Sequence, residues 1–220
     1  MNASTTASAT AASAASIAAA ASATHSATDA GRASMMSAAV QRRYAGPEQI
    51  RLDVVPVPQP ADDEVLVEVH AAGVDRGVWH LATGRPLVMR AIGFGLRRPK
   101  QPVQGTDVAG VVAAVGSAVT GLEVGDQVFG SADGSFAQFA VAKESRLAKK
   151  PAGISMIDAS AMPVSAVTAL MAVENSAQIK AGQRVLVIGA SGGVGSFAVQ
   201  MAVAAGAHVT GVASAAKSEL

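Results

Sequence analysis

The chain contains no cysteine. That absence excludes disulfides, redox dithiols, iron–sulfur clusters and every zinc site that needs a thiolate. The four histidines, His25, His70, His80 and His208, lie far apart with no i, i+3 or i, i+4 pair, so a compact histidine-only metal motif is missing too and no metal site is expected. An excess of one charge is also lacking: 17 Lys and Arg stand against 16 Asp and Glu, and charged residues make up 15% of the 220. A formal charge of +1 supplies no basic field to drive nucleic-acid or anionic-membrane binding. An unbroken membrane-spanning run is absent as well. Mean hydropathy is +0.35, and residues 185–216 are free of Asp, Glu, Lys and Arg over a length that would span a bilayer. Gly189, Gly192, Gly193, Gly195, Gly206 and Gly211 interrupt that run. It reads instead as a strand, a glycine-rich turn and a buried helix.

What is present divides by composition. Residues 2–34 are almost wholly Ala, Ser and Thr, with Asp29 and Arg32 as the charges and no amphipathic period. Such a segment cannot offset its ordering entropy, so residues 1–35 are expected to be a disordered tail. Two origins remain open for it, a targeting segment or an upstream extension of the reading frame ahead of Met36. From Ala38 to about Lys150 the chain reads as β-rich. Ala38–Tyr44, Ile50–Val55, Glu64–Ala72, Asp107–Val115, Gln127–Gly130, Ser135–Ala142 and Arg146–Lys149 are the expected strands, with glycines where a small barrel must bend. In Glu64–Ala72, Val65, Val67 and Val69 share one face and Leu66, Glu68 and His70 the other, which puts His70 on the solvent side. Ser155–Ser176 then reads as helical, with Pro163 suited to a first helical turn. Arg184–Ile188, Gly193–Ala205 and Ala207–Val212 follow as strand, helix and strand. The expected class is α/β: a β-barrel-type domain over 36–160, then the opening β-α-β unit of a parallel sheet over 161–220.

The chemistry is clearest in ValLeuValIleGlyAlaSerGlyGlyValGly, residues 185–195. A Gly-x-Gly-x-x-Gly string alone is weak, but here a strand precedes it, a helix follows and a second strand comes within one β-α-β length. Glycines let the chain turn tightly, let a pyrophosphate approach backbone N–H groups and seat the helix on the strand, and the helix N-terminus stabilises the phosphate charge. The expected dinucleotide-binding residues are therefore Gly189, Ala190, Ser191, Gly192, Gly193, Val194 and Gly195. At the end of the second strand an NAD site carries an acid for the ribose 2′-hydroxyl. Ala213 stands there, followed by Ser214 and Lys217, which favours NADP(H). Ser214 as a helix cap and Lys217 as a solvated charge remain the plainer alternatives.

GlyThrAspValAlaGlyValVal (105–112), ValGlySerAlaValThrGlyLeuGluValGlyAspGlnValPheGly (115–130), MetProValSerAlaValThrAlaLeu (162–170) and the glycine turn together resemble the medium-chain dehydrogenase/reductase superfamily, in its zinc-free quinone oxidoreductase-like branch. The resemblance runs from Met36 to the last residue. It implies a GroES-like catalytic domain joined to a Rossmann domain, with nicotinamide and substrate between them. Zinc-dependent members carry Cys near position 75 and His near position 106; Asp75 and Thr106 stand there, which implies hydride transfer without zinc. The resemblance implies NADPH as donor, a quinone, enone or related carbonyl as acceptor, a cytoplasmic location and a possible homodimer in a full-length form. Residues 74–86 correspond to the cleft wall. Asp75, Trp79 and His80 are its candidate catalytic residues, although Asp75 equally suits a helix cap, Trp79 a core anchor and His80 a surface position. Asp75 and Val78 depart from the Asn and Asp common in the quinone reductases. Thr168 resembles a position beside the nicotinamide.

A six-stranded dinucleotide fold needs four more strands after Val212, roughly 100 residues, whereas the sequence ends at Leu220. Two expectations follow: an NADPH-dependent reductase represented by a fragment, or a catalytically inactive remnant acting at most as a weak nucleotide-binding or interaction module. In either case Arg184–Ile188 should lack a neighbour on one side, and the chain should self-associate.

Overall fold

A computed structural model describes residues 35–88 and 90–217. The expected tail, apart from Met35, lies outside the described residues. Strand β1 (Met35–Val40) pairs antiparallel with β2 (Arg51–Pro56), with Met35 opposite Pro56 and Val40 opposite Arg51. Met35 thus belongs to the fold rather than to the tail. The first strand also ends earlier than Tyr44: Gln41 is fully buried and its amide donates to the carbonyls of Arg43 (2.7 Å), Ala45 (3.3 Å) and Ala82 (2.9 Å), which draws the chain out of the ladder.

Five strands form an antiparallel sheet: β3 (Glu64–Ala72), β4 (Asp107–Val115), β5 (Gln127–Ser131), β6 (Phe139–Lys143) and β7 (Leu147–Lys149), in the order β6-β3-β4-β5-β7. Their valines supply the core. Val65, Val67, Val108, Val112 and Val128 are all within 1% of complete burial and pack with Leu122, Ala132, Ala140 and Ala142. The opposite face of β3 is covered too at its start. Leu66 is buried with Met36, Val57 and Phe139, because the β1–β2 hairpin lies over it. That face opens at His70, which is exposed. At Gly110 β3 and β4 approach so closely that a Cβ would collide with the Glu68 carbonyl oxygen.

Between β3 and β4 stands α1 (Arg76–Thr83), a helix the apolar pattern does not announce. The helical stretch expected over Ser155–Ser176 breaks into α2 (Met156–Ser160), α3 (Pro163–Leu170) and a π-helical turn, Met171–Ser176. Pro163, lacking an N–H, opens α3 rather than continuing α2. The chain then forms β8 (Arg184–Ile188), α4 (Gly193–Ala204) and β9 (His208–Val212), with β8 and β9 parallel and Ile188 opposite Val212. α4 packs on α3 and on both strands. Leu186 and Ile188, by contrast, are 61% and 79% exposed. Among the described residues no helix is long and apolar enough to cross a membrane.

Candidate functional site

The sheet, α1, α3 and α4 meet around a cavity of about 390 Å³ whose wall includes Gly73, Asp75, Asp107, Ser165, Gly193 and Val194. Asp75 is the N-cap of α1: its Oδ1 accepts from the Val78 N–H at 2.9 Å, a short polar side chain satisfying a first-turn donor. Its Oδ2 is buried and has no partner among the described residues. Asp107 opens β4 and is 1% exposed. Its Oδ2 accepts from the Val164 N–H at 3.1 Å, tying the sheet to the start of α3, while Oδ1 is buried without a partner among the described residues. Burial pushes the Asp107 carboxyl up to about 6; the Val164 hydrogen bond opposes that shift, and the charge of Asp75 adds to it. Gly73 makes the approach possible, because a Cβ there would collide with the Ser160 carbonyl and stand 3.0 Å from the Asp107 Cβ.

The glycine turn enters the same cavity. Gly189 has φ +80°, a left-handed conformation that side chains rarely take, and its N–H and that of Ala190 both donate to the Val212 carbonyl, at 2.8 and 3.0 Å. A Cβ on residue 195 would collide with the Gly189 carbonyl oxygen, and one on residue 193 would stand 2.8 Å from the Ser165 hydroxyl. The glycines therefore leave a cradle of bare backbone at the N-terminus of α4, where first-turn N–H groups lack helical acceptors. This arrangement fits a pyrophosphate. Because Ile188 and Val212 are paired, Ser214 and Lys217 emerge at the same end of the parallel pair as the turn. Both are exposed, in a 3₁₀ turn closed by the Lys217 N–H donating to the Ser214 carbonyl at 2.8 Å.

The remaining candidates are less central. Trp79 is 40% exposed, with the Arg76 guanidinium 5.0 Å from its ring and the His80 ring edge-on at 5.1 Å. It is a surface aromatic, not a core anchor. His80 Nδ1 lies 2.8 Å from the Arg85 carbonyl, which as an acceptor requires the proton on Nδ1. Neither ring lines the Asp75 cavity. Thr168 is exposed on α3 and its hydroxyl donates to the Val164 carbonyl at 2.6 Å, so it too stands outside the lining. Asp107 is the residue that sequence reasoning missed. Its neighbour Thr106 lines a separate cavity of about 460 Å³. Among the described residues no group of three or more metal-ligating side chains gathers.

Residues 61–152 match the alcohol dehydrogenase GroES-like domain. The human quinone oxidoreductase is 37% identical over 183 residues, covering 81% of this chain and 53% of that protein. A chloroplastic quinone-oxidoreductase homolog of Spinacia oleracea is 36% identical over 195 residues, 83% and 57% of the two chains. The chain belongs to the medium-chain dehydrogenase/reductase superfamily. Within that superfamily it is quinone oxidoreductase-like, and its α/β architecture is the GroES-like sheet followed by a β-α-β unit. The CurK enoyl reductase superimposes with a TM-score of 0.77 at 29% identity, over 85% of this chain and 56% of that one. The Escherichia coli quinone oxidoreductase complexed with NADPH does so with a TM-score of 0.72 at 29% identity, over 83% and 54%. The chain thus spans about half the length of the curated relatives it matches.

Proposed function

We propose that the chain carries the catalytic cleft and phosphate-binding turn of a zinc-independent, NADPH-dependent reductase acting on a quinone, enone or related carbonyl. One observation carries this reading: Gly193 and Val194 of the glycine turn line the same cavity as Asp75 and Asp107. In this reading 36–160 would supply most of the cleft wall, and 161–220 the cofactor turn together with Ala161, Val164 and Ser165 of the wall. Gly189, Ala190, Ser191, Gly192, Gly193, Val194 and Gly195 would hold the pyrophosphate, and Ser214 and Lys217 the 2′-phosphate. Thr168, on the helix that carries Ser165, would flank the nicotinamide.

Bound NADPH supplies a hydride from its C4. The acceptor then needs a proton, and Asp107 is the group best placed to deliver one. Its Oδ1 is unpartnered, and its raised pKa leaves part of the population protonated near neutrality. Delivery to the acceptor leaves a carboxylate, which water in the cavity reprotonates. Asp75, fixed as a helix cap, would position α1 and raise the proton affinity of Asp107 through its charge. Trp79 and His80 would form the outer wall. NADP(H) binding is supported by the NADPH complex of the Escherichia coli relative, and a small-molecule substrate by the quinone oxidoreductase relatives. On the resemblance we also propose a cytoplasmic location and a homodimeric state.

The test is transfer of deuterium from C4-deuterated NADPH into an enone or quinone, read by mass spectrometry. Deuterated product that disappears in Asp107→Leu supports the reading; saturable NADPH binding without turnover supports the nucleotide-binding module instead.

A further inference from the structure

The whole-chain balance of +1 conceals a strongly biased segment. Between Asp75 and Asp107 the chain carries Arg76, Arg85, Arg90, Arg97, Arg98 and Lys100 and no Asp or Glu. Arg90 is used internally. Its Nε donates to the Gly84 carbonyl at 2.9 Å, an Nη to the Thr83 carbonyl at 3.1 Å, and its guanidinium stacks 4.3 Å over the Tyr44 ring. The Tyr44 hydroxyl lies 2.6 Å from the Phe94 carbonyl and 2.7 Å from that of Gly95. The Lys100 N–H closes on the Phe94 carbonyl at 3.0 Å. Gly95, at φ +104°, makes the tight turn that this closure requires.

The loop so held presents Arg97, Arg98 and Lys100, whose side chains have no ion-pair or hydrogen-bond partner among the described residues. They line a cavity of about 690 Å³ together with Arg42, which is paired with Asp53 at 2.7 Å, and among the described residues no carboxylate lines it. Pro99 and Lys100 also belong to the wall of the 460 Å³ cavity, where Leu81, Phe94 and Val103 provide an apolar surface. That cavity reaches Thr106, next in sequence to Asp107 of the cleft. Asp133, its carboxylate, faces Arg146 at 3.7 Å. A cationic mouth therefore adjoins an apolar cavity through their shared Pro99 and Lys100. Such an arrangement is complementary to an amphiphile with an anionic head, since unpaired cations reward a carboxylate or phosphate and the apolar wall rewards a hydrocarbon stem.

We propose that Arg97, Arg98 and Lys100 form the anion-binding mouth of this apolar cavity. Its ligand is an amphiphile whose carboxylate or phosphate sits at these cations while its apolar stem runs past Leu81, Phe94 and Val103 towards Thr106. The binding site does not rest on the reductase reading.

Isothermal titration of the 220-residue chain with decanoate, decyl phosphate and decanol tests this. Both anions should bind at least about tenfold more tightly than decanol, the gain expected from one charge-assisted contact. Arg97→Glu with Arg98→Glu, and separately Lys100→Gln, should remove most of that preference while leaving decanol affinity unchanged. The neutral Lys100→Gln keeps the test decisive if the double charge reversal unfolds. Tighter binding of one anion than the other assigns the head group. No preference for anions in the wild type, or a preference that survives both variants, overturns the mouth. NADPH titrated in parallel separates the two ideas: anion preference without NADPH binding sinks the reductase reading alone, and NADPH binding without anion preference sinks the mouth alone.

Discussion

Strands β3 and β8 carry nearly the same text, ValLeuVal at 65–67 and at 185–187, and meet opposite fates. In β3 all three side chains are buried, Leu66 at 3% exposure; in β8 Leu186 is 61% exposed and Ile188, two residues on, 79%. The difference lies in what surrounds each strand. β3 has neighbours on both edges, a valine core on one face and the β1–β2 hairpin on the other. Among the described residues β8 pairs with β9 and packs on α4 through one face. A local apolar pattern predicts a strand; the number of covering layers decides how much that strand contributes to stability.

Glycine substitutions break the two regions in different ways. Gly110→Ala drives a Cβ into the Glu68 carbonyl inside the covered sheet and should cost about 3 kcal/mol, read as a lowered urea midpoint. Gly195→Ala makes the equivalent collision with the Gly189 carbonyl, but half-buried in the first turn of α4 rather than inside the covered sheet. It should leave the urea midpoint of the sheet nearly unchanged while abolishing NADPH binding. Equal losses of stability at both sites would show that the β-α-β unit shares the cooperativity of the sheet.

The next largest effect is the pH dependence of Asp107, which joins the regions through Val164. Its folded carboxyl is held at about 6 against an ordinary 3.8, so between those values the folded chain keeps a proton that the unfolded chain releases. The stability it contributes is complete below about pH 4 and is lost as pH rises to about 6, a fall of about 2–3 kcal/mol. Asp107→Asn keeps an acceptor for the Val164 N–H and should flatten denaturation profiles across that window. Asp53, Asp63 and Asp126 work in the opposite direction and at lower pH. Hydrogen bonds from Arg42, Lys143 and Lys149 hold them below their ordinary values, so their contribution is lost only as pH falls below about 4.

The smallest thermodynamic effect is expected where exposure is greatest. Leu186→Ser and Ile188→Ser should each change stability by within about 0.5 kcal/mol. Their effect should be on association instead, because an uncovered apolar strand recruits other chains. Light scattering at high protein concentration should show less self-association in the double variant; wild-type chain that stays monodisperse would remove the basis for this contrast.

The same contrast explains what was legible in the sequence. β3, β4 and β8 were readable to their end residues, since alternating or continuous valine runs bounded by glycine and charge leave little choice of element. The turn at 189–195 was readable because its glycines are needed locally, within one β-α-β unit. α1 was legible only through Asp75 as a helix cap, for its eight residues are too short to display a period; the further signal was Gly84, which closes the helix at φ +61°. Asp107 was hidden because its burial depends on α3, 57 residues further along the chain. The cationic loop was hidden by averaging, with acids elsewhere in the chain cancelling Arg97, Arg98 and Lys100 in the total.

The most direct measurement is the affinity of the chain for NADPH and NADH, with and without Lys217. A charge-assisted contact to the 2′-phosphate contributes roughly 1.5–3 kcal/mol, or about 10- to 150-fold in Kd. Lys217→Ala should weaken NADPH by that factor and leave NADH unchanged, while Ala213→Asp shifts preference towards NADH. Failure of the wild-type chain to bind either dinucleotide, or an equal loss of both in Lys217→Ala, would contradict the assignment of the glycine turn and its flanking lysine as an NADPH site.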